Sequence, residues 1–236
     1  RGGKDMLFLL SCLLSYDSEL DKQTISLEQT QAVRHVNYRH GYDSSVKINS
    51  IESGLITGHG SGNYFKIGKE KFIITAAHVL RESAVFFIQD KGEAVFLEPI
   101  YSDVFYDIAI LVPHRELSDI KPTEYRINKK KDILGMTINY TGYPSDLPKV
   151  MLSGTVSHSG MSYAIIHSYA APGSSGSIVF DNSGRAIGVV SAVKVGMYGL
   201  SPFPTLEEDI IYVERLISFD RGKIKRILKL WRNMKN

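Results

Sequence analysis

The stretch Ala171-Pro172-Gly173-Ser174-Ser175-Gly176-Ser177 sets a hydroxyl between glycines, in a tight turn bracketed by apolar runs from Ser162 to Tyr169 and from Ile178 to Phe180. Glycines permit backbone angles that aim N–H groups at one point, and they let a substrate approach the hydroxyl closely. That is the chemistry of a nucleophile with an oxyanion hole. A serine needs a base to take its proton, and the base needs an acid to fix its tautomer. His78 ends the β-branched run Ile73-Ile74-Thr75-Ala76-Ala77-His78, and Asp107 opens the apolar run Asp107-Ile108-Ala109-Ile110-Leu111. His78, Asp107 and Ser175 therefore supply the three parts.

With Thr75-Ala76-Ala77-His78, Asp107-Ile108-Ala109-Ile110-Leu111 and Gly173-Ser174-Ser175-Gly176-Ser177 in this order, the chain resembles the trypsin-like, chymotrypsin-fold serine peptidases over about Gly58 to Lys194. Gly184-Arg185-Ala186-Ile187-Gly188-Val189-Val190-Ser191 is similar to the HtrA/Deg branch, and Gly173-Ser174-Ser175-Gly176-Ser177 to the bacterial glutamyl endopeptidases. The resemblance implies that His78 is the general base, that Asp107 holds it, and that the N–H groups of Gly173 and Ser175 form the oxyanion hole. It further implies that Ser191 supports Asp107 and lines the substrate channel, with Ala192 and Val193 as an edge for pairing a substrate strand. Tyr169 falls at the base of the primary pocket, where trypsins carry an aspartate, so a small or medium apolar side chain is the expected preference. The glutamyl enzymes place a histidine where this chain has Ala192-Val193, and His167 is the nearby alternative. Trypsin-type zymogens use an aspartate just before the nucleophile, but Ser174 stands there and no Ile-Val-Gly-Gly start is present. The catalytic loop is expected to form unaided or to be ordered by a partner.

Short strands must position these residues. Val46–Ile51, Gly54–Gly58, Asn63–Ile67, Lys71–Thr75, Ala84–Gln89, Ala94–Pro99 and Asp107–Val112 read as strands, with turn signals at Gly68-Lys69, Asp90-Lys91-Gly92 and Pro113. A second set reads Ile133–Tyr140, Lys149–His158, Ser162–Tyr169, Gly176–Phe180 and Ala186–Lys194, with a hairpin turn at Asp181-Asn182-Ser183-Gly184. Five strands leave an open edge, so Asp209–Val213 is the expected sixth; the rival reading makes Thr205-Leu206-Glu207-Glu208 a helix-opening capping box. The expected fold is all-β: two six-stranded antiparallel barrels of the chymotrypsin type with a C-terminal helix. The expected divisions are a leader over 1–44, a first barrel over 45–125, a second over 126–215 and the helix over 216–236. Gly58-His59-Gly60-Ser61-Gly62 lacks the following Gly-Lys-Ser/Thr of a phosphate loop, and in the resemblance it is the strand packed close to the histidine.

A chain of 236 residues with 43% hydrophobic content can bury a sizeable core. Its net charge of +3 is uneven: Arg221, Lys223, Lys225, Arg226, Lys229, Arg232 and Lys235 supply seven positive charges, which leaves −4 for residues 1–220. Ile224, Ile227, Leu228, Trp231 and Met234 fall on one face of that basic segment at helical spacing. Its expected place is against the second barrel, the alternative being an anionic membrane or nucleic acid. Lys129-Lys130-Lys131 suits a solvated connection between barrels. The single cysteine, Cys12, allows no internal disulfide and no cysteine-based zinc site. His35 and His40 lack a third ligand, so no metal or cofactor is expected.

The apolar run Met6–Leu14 has the length of a signal segment's apolar part, and Leu9-Leu10-Ser11-Cys12 resembles a lipoprotein box; an ordinary packed element is the other reading. Export and an intracellular setting both stay open. About forty residues follow Lys194, so a PDZ domain of the HtrA kind is not expected there. The expected activity is serine endopeptidase, acting on protein or peptide substrates through an acyl-enzyme and not on nucleic acid. The alternatives are an inactive binding module of the same fold and a viral polyprotein-processing peptidase; an esterase is weaker because Ser177 breaks the Gly-x-Ser-x-Gly elbow.

Overall fold

The computed structural model describes residues 41–80, 85–145, 147–194 and 208–235. The signal or lipobox segment, Cys12, His35, His40 and the capping-box residues Thr205–Glu207 lie outside them.

Two sheets close on themselves. The first contains β1 (Ser45–Glu52), β2 (Leu55–Ile67), β3 (Glu70–Thr75), β4 (Val85–Asp90), β5 (Glu93–Asp103) and β6 (Ile108–Pro113), ordered β1-β4-β5-β6-β3-β2 and closed by the antiparallel β1–β2 pair. A two-residue strand, β7 (Thr123–Glu124), adds to β2 in parallel. The second barrel runs β10-β13-β12-β11-β8-β9, built from β8 (Thr137–Gly142), β9 (Val150–Ser159), β10 (Tyr163–Tyr169), β11 (Ile178–Asp181), β12 (Ala186–Lys194) and β13 (Glu208–Arg215). The sixth strand demanded by closure is β13, so Glu208 belongs to a strand and not to a helix start. The architecture is all-β, two six-stranded antiparallel barrels followed by a helix, as expected.

Alternation divides the apolar side chains among three clusters. Along β3, Ile73 points into the first barrel with Val46, Ile48, Phe86 and Ile88, whereas Phe72 and Ile74 face a cluster shared with Ile178, Phe180 and Val189 of the second. The second barrel's own interior gathers Ile138, Val156, Ile166, Ile187, Val190 and Val213. Ala186 and Val189 share one face while Ile187 and Val190 share the other, which strict alternation forbids. Phe180 pairs with Ala186 and Val179 with Gly188, so Ile187 is an inserted residue that switches the faces. Pro99 has a similar place beside a bulge in β5, where a missing N–H costs little.

The Gly58–Gly62 segment is the interior of one thirteen-residue strand and does not separate two strands. A Cβ at Gly60 would sit 2.7 Å from Val79 Cγ1, and one at Gly62 would sit 2.9 Å from the Ile74 carbonyl oxygen. The glycines there serve close packing.

Asp220 caps the C-terminal helix α1 (Arg221–Lys235), its carboxylate accepting the Lys223 N–H at 2.8 Å. Ile224 and Leu228 are buried with Phe65, Phe72 and Phe219. The expected docking on the second barrel is corrected in part: the apolar stripe enters the shared cluster, and the polar anchors all lie on the first-barrel side. Trp231 Nε1 donates to Glu98 at 2.9 Å, Arg221 pairs with Glu124 at 2.8 Å, and Arg232 and Lys235 pair with Glu70 and Glu98. Acidic side chains on β3, β5 and β7 complement the helix's basic faces, which decides the side. Met234, counted in the stripe, is 77% exposed.

Candidate active site

The turn at 171–177 is held almost atom by atom. Its carbonyls accept in order: Ala171 from Ser174 N at 2.9 Å, Pro172 from Ser145 N at 2.5 Å, Gly173 from Ser61 Oγ at 2.7 Å, Ser174 from Ser177 N at 3.1 Å and Ser175 from Ser61 N at 2.7 Å. Ala171 N donates to Ser174 Oγ at 3.2 Å, and Gly176 N to the Val190 carbonyl at 2.8 Å. Among the described residues, the two N–H groups of this turn left without an acceptor are those of Gly173 and Ser175. Gly173 (φ +94°) and Gly176 (φ +88°) occupy the left-handed region, and a Cβ would lie 2.4 Å from His59 Nε2 at the first and 2.1 Å from the Ser61 carbonyl oxygen at the second. Only glycine meets both demands. Ser174, at the site of the zymogen aspartate, is fully buried, and its hydroxyl caps the turn.

His78 sits in the 3-10 turn Ala77–Val79 that follows β3. Its Nδ1 lies 2.7 Å from Asp107 Oδ2, and its backbone N–H donates to Asp107 Oδ1 at 2.9 Å. Two contacts from one carboxylate fix both the ring and the main chain of the histidine. The Ser191 hydroxyl donates to the same Oδ2. Asp107 takes φ +46°, a left-handed conformation aspartate tolerates better than most residues, just where the chain enters β6. The turn before it is braced by Asp103, whose Oδ1 accepts the N–H groups of Phe105 and Tyr106 at 3.1 Å each. Burial raises the Asp107 carboxyl, but hydrogen bonds from the His78 ring, the Ser191 hydroxyl and the His78 N–H outweigh it and hold the group below the ordinary carboxylate value.

A bulge aims Ser191. Val190 pairs with Val213 and Ala192 with Tyr212, so Ser191 has no partner on β13 and its side chain turns toward Asp107. Glu214, on β13 opposite Val189, is raised by burial and by the charge of Asp107.

The acid, the imidazole and the Ser191 hydroxyl are thus joined, while no hydrogen bond links His78 to Ser175 among the described residues. Gly176, the residue after Ser175, lies against the histidine's segment: its Cβ position would be 2.1 Å from Thr75 Oγ1 and 3.1 Å from Ala76 N. His78 keeps a side-chain exposure of 47%. Tyr169 ends β10 at 40% exposure, its carbonyl accepting the Tyr140 hydroxyl. Ala192 and Val193 pair through β12 with Tyr212 and Ile211 of β13. Two residues that brace the turn, Ser61 and His59, carry no role in the sequence motifs. Ser61 is the buried hub described above, and His59 Nε2 lies 2.9 Å from the Tyr143 carbonyl oxygen. A serine between two strand glycines was the available signal for Ser61.

Among the described residues no cluster of three or more His, Cys, Asp or Glu could hold a metal, and no helix is long and apolar enough to cross a membrane. A family model described as the trypsin-like peptidase domain matches residues 60–189. No curated protein matches the sequence. Among solved structures, the serine endoprotease from Yersinia pestis superposes with a TM-score of 0.62 at 17% identity, over 83% of this chain and 66% of that one. At that identity the likeness is one of fold, and the chain spans just under two thirds of the Yersinia protein. With the family model spanning more than half of the sequence, this chain belongs to the trypsin-like peptidases.

Proposed function

We propose that this chain is a serine endopeptidase in which Ser175 is the nucleophile, His78 the general base and Asp107 the group that orients the base. The observation that carries the reading is the pair of unclaimed N–H groups on Gly173 and Ser175, in a turn whose other N–H groups are engaged.

In the first step the Ser175 oxygen bonds to the carbonyl carbon of a peptide while its proton passes to His78 Nε2. The carbonyl oxygen becomes an oxyanion between the two N–H groups, each such donor being worth about 3 kcal/mol of barrier. The tetrahedral centre collapses, the C–N bond breaks, and the imidazolium gives its proton to the leaving amine. Water then attacks the acyl ester, with His78 taking its proton and returning it to Ser175. Asp107, already below the ordinary carboxylate value, stays ionised through both steps and stabilises the imidazolium. A catalytic hydrogen bond between His78 and Ser175 commonly tightens only with substrate present.

The Ser191–Val193 segment of β12 is the edge on which an extended substrate would pair, and Tyr169 bounds the primary pocket, favouring small or medium apolar side chains. Digestion of unfolded casein is the test. The wild-type protein should cleave it, and Ser175→Ala and His78→Ala should each lose at least about 10³-fold in rate. Equal cleavage by Ser175→Ala would reject the assignment.

A further inference from the structure

We infer that Ser61 is a positioning residue for the oxyanion site, an inference that rests on the catalytic reading above. Ser61 lies on β2 of the first barrel, is fully buried, and belongs neither to the nucleophile turn nor to the His–Asp pair. Its backbone N–H holds the Ser175 carbonyl at 2.7 Å and its hydroxyl holds the Gly173 carbonyl at 2.7 Å. These two carbonyls bracket the Ser174–Ser175 peptide, which carries one proposed donor. The same hydroxyl accepts the Tyr143 N–H at 2.9 Å, and two residues on, Ser145 N–H holds the Pro172 carbonyl at 2.5 Å. The Pro172–Gly173 peptide carries the other donor. In a trans peptide the carbonyl and the N–H point oppositely, so fixing the Pro172 oxygen fixes the direction of the Gly173 N–H. One side chain therefore ties the first barrel, the 143–145 segment and the turn into a single unit. Thr75 Oγ1 anchors Ser61 in turn, donating to its carbonyl at 2.7 Å.

Removing the hydroxyl leaves the Gly173 carbonyl and the Tyr143 N–H without a partner and frees the turn to rotate. Oxyanion stabilisation is felt in the transition state more than in the bound substrate, so the loss falls on kcat. A hydroxyl serving only stability would not separate the two constants.

The experiment measures kcat and KM for a fluorescent casein, together with thermal midpoints, for wild type, Ser61→Ala, Ser61→Cys and Tyr125→Phe. Tyr125→Phe removes another buried hydrogen bond, from its hydroxyl to the Phe219 carbonyl at 2.6 Å, which makes no contact with a backbone group of the turn, and serves as the stability control. The expected result is a kcat lowered at least about 10-fold in Ser61→Ala with KM within about 2-fold. Ser61→Cys, which keeps the shape with a weak donor, should fall between, and Tyr125→Phe should keep the wild-type kcat at a reduced midpoint. If Ser61→Ala does not fold, Ser61→Cys decides by the same split. A wild-type kcat in the Ser61 variants, a change confined to KM, or an equal kcat loss in Tyr125→Phe overturns the inference while leaving the catalytic reading intact. Casein cleavage that survives Ser175→Ala removes the catalytic reading, and this inference with it.

Discussion

Asp107 receives the His78 ring and the Ser191 hydroxyl on one oxygen, Oδ2, while its other oxygen takes the His78 backbone N–H. The carboxylate therefore sets the position of the whole histidine segment as well as the tautomer of its ring. Asp107→Asn should keep the fold and lower kcat on the order of 10⁴-fold, because an amide there favours the wrong tautomer. Steady-state cleavage of casein, with circular dichroism as the folding check, measures it; a loss below about tenfold contradicts the assigned role.

Ser191 donates one of the hydrogen bonds that keep Asp107 low. In Ser191→Ala that support disappears, so the Asp107 value rises toward the ordinary carboxylate value. Carboxyl resonances followed by NMR through an acid titration of variant against wild type read the shift directly. An unchanged or lowered value would show that the hydroxyl does not act on the carboxylate.

Stability should show the same sign. Asp107 and Asp181 both sit below the ordinary carboxylate value: burial raises each, but hydrogen bonds outweigh it, from His78 and Ser191 in one case and from Arg185 and Ser183 in the other. Asp90, its side chain fully buried, is lowered in the same way by the N–H groups of Asp119 and Ser118 and by Arg115. Groups lowered in the folded state contribute stability that is complete above their unfolded value of about 4 and is lost as pH falls through the folded values. Urea midpoints should therefore fall as pH drops from about 5 toward 2. Midpoints that hold or rise in acid would contradict the pairings.

The turn tolerates no side chain at Gly176. Gly176→Ala places a Cβ 2.1 Å from the Ser61 carbonyl oxygen at φ +88°, so both backbone strain and a backbone clash follow. A destabilisation of about 3 kcal/mol or more is expected from chemical denaturation, with loss of activity.

The triad candidates were legible because each sits at the edge of an apolar run, where periodicity and small residues mark strand ends. The strands of both barrels were legible for the same reason, and closure alone pointed to β13. What escaped depends on register. The bulges at Ile187 and Ser191 exist only relative to partner strands, and nothing local in Gly188-Val189-Val190-Ser191 records the inserted residue. Gly54–Gly58 and Asn63–Ile67 read as two strands, yet they belong to one, whose glycines make room for Val79 and Ile74. The side on which the helix docks was set by Glu70, Glu98 and Glu124, distant in sequence from the lysines and arginines they meet.

Leu228 tests that docking. It is buried in the shared cluster with Ile67 and Phe72, so Leu228→Ala should cost about 2–5 kcal/mol by urea denaturation, a cost that a helix lying free on the surface would not show.

The nucleophile itself is tested most directly by a fluorophosphonate probe, with the modified residue located by mass spectrometry. One label per folded chain is expected, on Ser175, absent from Ser175→Ala and strongly slowed in His78→Ala. A folded protein that takes no label, or a label that persists when Ser175 is alanine, would contradict its role as nucleophile.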